Sequence, residues 1–109
     1  MSEVYVTKWS EENGGPLTED AIRATHRPVG HYRIAANKYP AGTQFSASSR
    51  PGVFYVLGGA CRLLSGSGGV TLSAGDVAQF RGGSYELEVA PEHELHIVQV
   101  WQLPEEFWT

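Results

Sequence analysis

From residue 31 onward, apolar and polar residues alternate or cluster in short apolar runs, and breaks rich in glycine and proline separate these segments. Alternation with a period of two predicts half-buried β-strands, and short apolar runs between turn residues predict buried ones. The pattern therefore predicts a strand over 31–39, two strands with a turn in 42–59, a hairpin over 60–72, a strand after Gly75 that is redirected at Gly82-Gly83, and a last strand over 94–103.

The segment before residue 31 has a different pattern. Residues 4–7 form a short β-prone arm, which we expect to pair with a sheet edge of its own barrel or of a second subunit. Thr18 is a candidate N-cap, and the two acidic residues that follow it favour the positive end of a helix dipole. A short helix should therefore begin near Thr18 and end before Pro28.

Composition supports one small β domain. The chain has 109 residues, of which 41% are hydrophobic, so it can bury one modest core. Thirteen glycines and six prolines favour an all-β barrel or sandwich over a helical fold. We divide the chain into an N-terminal arm and helix over 1–30 and a β-barrel over 31–109, which together form one domain.

Charge and hydropathy exclude several classes of function. The net charge is −4 and no run of lysine and arginine is interleaved with aromatic residues, which argues against a nucleic-acid partner. No apolar run reaches membrane-spanning length, and the polar, acidic residues 1–15 differ from a signal peptide. We therefore expect a soluble, cytoplasmic protein. Cys61, the single cysteine, excludes an internal disulfide and is expected to be a buried small residue.

The stretch from Gly42 to Gly59 resembles the first conserved motif of the cupins, a superfamily of small jelly-roll barrels. That motif runs Gly, five residues, His-x-His, three or four residues, Glu, six residues, Gly. Counting back from Gly59 places Gly52 at the glutamate, and Ser48 and Ser46 at the two histidines. The glycine frame is present, but all three metal ligands are replaced.

The stretch from Ala74 to Glu86 resembles the second cupin motif, which runs Gly, five residues, Pro-x-Gly, two residues, His. Gly75 and Gly83 are in register, Arg81 replaces the proline, and Glu86 takes the position of the fourth ligand. The resemblance implies an all-β, single-domain, cupin-type jelly-roll barrel with a short N-terminal helix.

The same register implies a set of site residues. Ser46, Ser48 and Glu86 would line the former metal site inside the barrel. The candidates for its wall or mouth are Gln44, Arg50, Gln79 and Arg81. The orientation of Glu86 is open, because alternation with Leu87 and Val89 points it to water, whereas the motif register points it inward; we follow the register.

We expect no metal and no other cofactor. From residue 32 to 92 there is no histidine, and from 21 to 75 there is no carboxylate. A divalent metal in such a barrel needs three or four converging nitrogen or oxygen ligands.

The sequence favours one function and leaves two alternatives open. The favoured interpretation is a metal-free cupin that binds a small polar or anionic organic molecule in its barrel. The first alternative is a metal-independent isomerase, epimerase or cyclase that uses Glu86 or His96 for proton transfer, although His96 is more typical of a hydrogen-bonded structural histidine. The second is a non-catalytic dimerisation scaffold. A homodimer is expected in any case, because the arm, Trp9 and the Phe107-Trp108 tail carry much apolar surface for a chain of this size.

Overall fold

A computed structural model describes residues 4–10, 15–66 and 68–108. Helix α1 spans Glu19–Thr25, and single 3₁₀ turns span Val29–His31 and Glu105–Phe107. The strands in the described residues are β1 Val4–Lys8, β2 Tyr32–Tyr39, β3 Gln44–Ser49, β4 Gly52–Gly58, β5 Ala60–Ser65, β6 Gly68–Ser73, β7 Asp76–Phe80, β8 Gly83–Val89 and β9 Leu95–Gln102. The strands and the helix predicted from the sequence are confirmed.

The strands form two antiparallel sheets. One has the order β1-β7-β4-β9-β2 and the other the order β3-β8-β5-β6. The N-terminal arm pairs with β7 of its own chain, which is the first of the two pairings expected for it. Gly82 and Gly83, with φ angles of 102° and 108°, connect β7 in one sheet to β8 in the other. Such positive φ angles favour glycine, and the predicted redirection of the chain at this point is confirmed.

The main core lies between the two sheets and is centred on three aromatic rings. Phe54 of β4, Phe80 of β7 and Tyr85 of β8 pack with ring centroids 5.6–5.7 Å apart. Leu63, Leu87 and other aliphatic side chains surround them, in the cluster Val4, Val56, Cys61, Leu63, Leu72, Ala78, Leu87, Val89, Leu95 and Ile97. Burial in this cluster raises the pKa of Cys61 to about 11, as expected for a packed rather than a reactive thiol.

A second apolar cluster covers the outer face of the five-stranded sheet. Ile22 of α1 and Trp9 pack on Tyr55, Val98 and Val100. Strand β9 therefore contributes Val98 and Val100 to this layer, while its alternate residues enter the core between the sheets. This explains why its sequence is apolar on both faces.

Helix α1 is capped as predicted and is anchored at its C-terminal end by a histidine. The backbone N–H of Ala21 donates to Thr18 Oγ1 at 3.1 Å. His26, the C-cap, has its Nε2 atom 2.7 Å from the hydroxyl of Tyr55, and its ring packs edge-on against Tyr32 and Tyr55. Burial lowers the pKa of His26, because the charged form loses hydration there.

This lowered pKa predicts that acid weakens the fold through His26. Between the folded and unfolded pKa values of His26, the unfolded chain binds more protons than the folded chain. The contribution of His26 to the free energy of unfolding is therefore fully present above its ordinary pKa near 6.5 and is lost as pH falls. We expect the free energy of unfolding, measured with urea at pH 7.5 and 5.5, to fall less in His26→Gln than in the natural chain. His93→Gln, in an exposed turn, is the control and should keep the natural slope; equal slopes in all three proteins would contradict the assignment.

The C-terminal tail is held by one of its two aromatic residues. Trp108 stacks on the ring of His31, with centroids 3.9 Å apart, and its indole N–H donates to the carbonyl oxygen of Leu103 at 2.8 Å. Phe107 remains 60% exposed. Docking of the tail on the protein is thus seen for the tryptophan and not for Phe107.

No helix in the described part of the chain has both the length and the apolar character needed to cross a membrane.

Candidate functional site

The residues expected at the former metal site do not face the interior. In β3, Phe45 and Ala47 pack against the core, so Ser46 and Ser48 between them are exposed on the outer face. In β8, Tyr85 and Leu87 are buried and Glu86 is exposed. The inward orientation taken from the motif register is therefore wrong. Because side chains alternate with a period of two, a register difference of one residue turns every side chain of a strand to the other face.

Gly52, which takes the position of the motif glutamate, cannot be replaced by a larger residue without a steric clash. A Cβ atom added to Gly52 would lie 2.4 Å from the carbonyl oxygen of Val100 in the neighbouring strand β9. The position is therefore filled by backbone of the sheet itself.

Three of the predicted site residues do come together, but on the outer face of the four-stranded sheet. Ser46 pairs directly with Glu86, and Ser48 with Ser84, across β3 and β8. A broad trough of about 860 Å³ lies over this outer face; it is lined by Ser46, Ala47, Ser48, Arg62, Leu64, Gly66, Gly68, Gly69, Ser84, Tyr85 and Glu86. Gln44 lies beside it in a smaller depression of about 200 Å³. The guanidinium of Arg62 lies 3.3 Å from the carboxylate of Glu88, and this exposed pair contributes little to stability.

Arg50 belongs to a different cavity, which opens between the two sheets. This mouth cavity has a volume of about 240 Å³ and is lined by Ser48, Ser49, Arg50, Tyr85, Gln99 and Trp101. Tyr85 reaches it from the buried face of β8. Gln99 and Trp101 follow the core residues Leu95 and Ile97 at every second position of β9, so they lie on the inner face of that strand.

Several hydrogen-bond donors line the mouth cavity. The side-chain amide of Gln99 donates to the hydroxyl oxygen of Tyr85 at 3.4 Å. Since that oxygen accepts this bond, the hydroxyl proton of Tyr85 can be donated to a further group. Arg33 is the direct partner of Trp101 across β2 and β9, and its exposed side chain therefore lies on the same face of the sheet. No carboxylate and no imidazole is among the described lining residues.

Gln79 and Arg81 lie at a third place, on the five-stranded sheet. They line an outer corner cavity of about 680 Å³, together with Val4, Tyr5, Pro51, Gly52, Val53 and Phe80. The seven predicted binding residues thus lie in three regions and do not form one site, although Ser48 lines both the trough and the mouth cavity.

The two candidate proton-transfer residues do not line the mouth cavity. Glu86 lies on the outer face of the four-stranded sheet. His96 lies on the outer face of β9, where its Nε2 atom is 3.6 Å from a carboxylate oxygen of Glu19 in α1. His93 lies in the exposed turn before β9.

The side chains of the mouth cavity do not fit a divalent metal. They offer hydroxyl groups, one amide and one guanidinium, whereas a tightly bound metal needs several imidazole, thiolate or carboxylate ligands. Within the described ranges, no three side chains of His, Cys, Asp or Glu converge on one point.

Sequence reasoning missed four of the described residues that line the mouth cavity: Ser49, Tyr85, Gln99 and Trp101. A signal for Tyr85 was present in β8, because Tyr85, Leu87 and Val89 form one alternating apolar set. The same alternation from Leu95 and Ile97 reaches Gln99 and Trp101 in β9. Following the alternation instead of the motif register would have identified these inner faces.

Comparison with solved structures finds cupin architectures over most of the chain. A cupin protein of Bacteroides fragilis matches with a TM-score of 0.59 at 15% sequence identity, over 72% of this chain and 71% of that one. The chain has the cupin fold. A DUF861 family protein of Thermotoga maritima matches with a TM-score of 0.57 at 15% identity, over 93% of this chain and 100% of its own. The EutQ protein of Clostridium difficile matches with a TM-score of 0.57 at 15% identity, over 94% of this chain and 69% of that one.

The cupin resemblance of the two sequence motifs is thus confirmed at the level of the fold. No protein-family model matches the sequence, and no curated protein sequence matches it. At identities of 15% the likeness concerns architecture alone. The chemistry has to be argued from the side chains of this chain.

Proposed function

We propose that this cupin is a metal-free binding module whose mouth cavity holds a small organic anion with a carboxylate or phosphate group. One observation carries the proposal: the mouth between the sheets combines Arg50 with the Tyr85–Gln99 pair, and no carboxylate is among its described lining residues. A guanidinium with no carboxylate beside it to pair with favours an anionic ligand.

Each lining group has a distinct part in binding. The guanidinium of Arg50 offers two parallel hydrogen bonds to a carboxylate or phosphate. The hydroxyl of Tyr85 and the amide of Gln99, deeper in the cavity, orient a second polar group of the ligand. Trp101 provides a flat apolar wall. Arg33, on the same face, adds positive charge at the rim.

The volume of the mouth cavity limits the size of the ligand. Sites for drug-sized molecules measure about 300–1,000 Å³, and the mouth measures about 240 Å³. The ligand is therefore a short organic acid or a small phosphate ester, and part of it extends into solvent.

Binding is favoured over proton-transfer catalysis by the position of the acid–base candidates. A general acid or base must come within hydrogen-bond reach of the reacting group. Glu86 and His96 lie on outer faces of two different sheets, and the described mouth residues supply no alternative carboxylate or imidazole. An isomerase or cyclase mechanism through Glu86 or His96 would need a ligand outside the mouth.

We further propose that the two sheets form a jelly-roll barrel, which aromatic packing closes on one side. β2 and β3 are edge strands of different sheets and face each other across the seam of the molecule. Tyr39 of β2 and Phe45 of β3 bridge this seam with ring centroids 5.0 Å apart. Burial and the nearby Tyr85 raise the pKa of Tyr39, so it stays neutral near pH 7 and packs as an apolar ring.

A thermal-shift screen of short carboxylic acids, hydroxy acids and small phosphate esters tests the binding function. For each compound that binds in the mouth cavity, we expect Arg50→Ala to weaken binding about 10- to 100-fold, since hydrogen bonds to charged groups contribute about 1.5–3 kcal/mol. Tyr85→Phe, which removes one hydroxyl, should weaken it about two- to tenfold. Isothermal calorimetry measures both effects.

Arg81→Ala is the matched control, because it removes an exposed arginine from a different cavity. Compounds that bind the mouth should bind Arg81→Ala as they bind the natural chain. The proposal fails if no anion stabilises the protein, or if Arg50→Ala retains every compound at full affinity.

Homodimerisation is a separate proposal. It rests on the large apolar side chains that the tail leaves exposed, Phe107 at 60% and Trp108 at 36%. Light scattering at micromolar concentration should give about twice the 11.9 kDa mass of the chain. A monomer mass at that concentration would reject it.

A further inference from the structure

The outer corner cavity is a second candidate binding site, on the opposite face of the five-stranded sheet from the core. Tyr5, Gln79 and Val53 are direct neighbours across β1, β7 and β4, so their side chains form one row on this face. Val53 is in turn the direct partner of Val100, which lies buried in the cluster under α1. The part of the sheet that α1 covers thus ends beside Val53. Tyr5, at the end of the row, is 66% exposed.

The turns at the ends of the strands separate this cavity from the mouth. A Cβ atom added to Gly82 would lie 2.9 Å from Pro51, so the segments after β3 and after β7 pack tightly against each other. Arg50 lines the mouth cavity on one side of this contact, and Arg81 lines the outer corner cavity on the other. Each cavity therefore has an arginine of its own.

The lining of the outer corner cavity combines an apolar surface with two donors. The ring of Tyr5 and the side chains of Val53 and Pro51 give the apolar part, and Arg81 and Gln79 provide hydrogen-bond donors. No carboxylate is among the described lining residues, and within the described part of the chain no carboxylate forms an ion pair with Arg81. At about 680 Å³ the cavity has the volume of an ordinary small-molecule site.

We propose that the outer corner cavity binds an amphipathic organic carboxylate, with its aromatic ring on Tyr5 and Val53 and its carboxylate on Arg81. The guanidinium matches a carboxylate through two parallel hydrogen bonds. A planar ring packs against the exposed face of Tyr5, which otherwise stays in water. The side-chain amide of Gln79, between these two parts, donates a further hydrogen bond to one of the carboxylate oxygens. This ligand differs from that of the mouth, which is smaller and more polar.

The test is a titration of the full-length protein with phenylacetate, followed by amide NMR. We expect saturable shifts of the backbone amides of Val53 and Gln79 and of the Gln79 side-chain amide. The neutral analogue phenylacetamide should bind at least about tenfold more weakly, because it lacks the charge. Arg81→Ala should weaken phenylacetate binding at least about tenfold, Arg81→Lys by an intermediate factor, and Tyr5→Ala about two- to tenfold.

Arg50→Ala separates this site from the mouth. It should leave phenylacetate binding unchanged within twofold, whatever the outcome of the anion screen at the mouth. The proposal is overturned if the shifts do not saturate, if Arg81→Ala binds phenylacetate as the natural chain does, or if the signals that move are those of Gln99 and Trp101.

Discussion

Phe54→Ala is expected to destabilise the protein by about 3–5 kcal/mol, the usual range for removing a buried phenylalanine ring. Phe54 lies in the centre of the core between the sheets and is almost completely buried. Its ring packs against Phe80 and Tyr85, with centroids 5.7 Å away in both cases. Alanine would leave a cavity bounded by strands of both sheets, which cannot close without moving the sheets together.

Urea unfolding at pH 7.5 measures this effect, and two variants calibrate it. Phe54→Leu keeps most of the side-chain volume, so its loss in free energy of unfolding should be less than half that of Phe54→Ala. Phe107→Ala removes a ring of the same size from the exposed tail and should change stability by less than about 0.5 kcal/mol. A loss below about 1.5 kcal/mol in Phe54→Ala would show that the aromatic cluster contributes little to folding.

Most of the fold was predictable because its signals are local. Alternation within each strand and the turn residues between strands depend on a few neighbouring positions. The N-cap at Thr18 is likewise a local pattern, and the structure confirms it. The strand bounds in the structure differ from the predicted ranges by a few residues at most, for example in β2 and β9.

The binding site was less predictable because it depends on register. The motif frame and the alternation in β8 gave opposite orientations for Glu86, and the choice of the frame placed it inside the barrel. Burying an unpaired carboxylate against Leu87 and Val89 would cost several kcal/mol. The apolar set of the strand therefore decides the orientation, and Glu86 faces water.

The composition of the cavities could not be obtained from the sequence, because it depends on long-range pairing. Arg50 and Gln99 meet in the mouth cavity through the pairing of β4 with β9 and the packing of the two sheets. Arg50 and Arg81 lie near turns that contact each other, yet they line different cavities. Distance along the sequence indicates neither that Arg50 lies near Gln99 nor that Arg50 and Arg81 line different cavities.

Gly59→Ala is expected to destabilise the protein by about 2–5 kcal/mol through two effects at one atom. Gly59 connects β4 to β5 with φ at +80°, where a residue with a Cβ atom costs about 1–2 kcal/mol. An added Cβ would also lie 2.4 Å from the carbonyl oxygen of Glu94 and 3.1 Å from Cα of Leu95. These are backbone atoms at the start of β9, so they cannot rotate away, and such overpacking costs a further ~1–3 kcal/mol.

Gly42→Ala isolates the second of these effects. Gly42 has the same φ of +80°, but an added Cβ would meet nothing within 4 Å. Gly42→Ala should be destabilised only by the conformational cost of about 1–2 kcal/mol. The difference between the two variants in urea unfolding therefore measures the contact of the Gly59→Ala methyl group with β9. If both variants lose the same amount, the start of β9 moves freely enough to accommodate a methyl group, and the close approach at Gly59 does not constrain the fold.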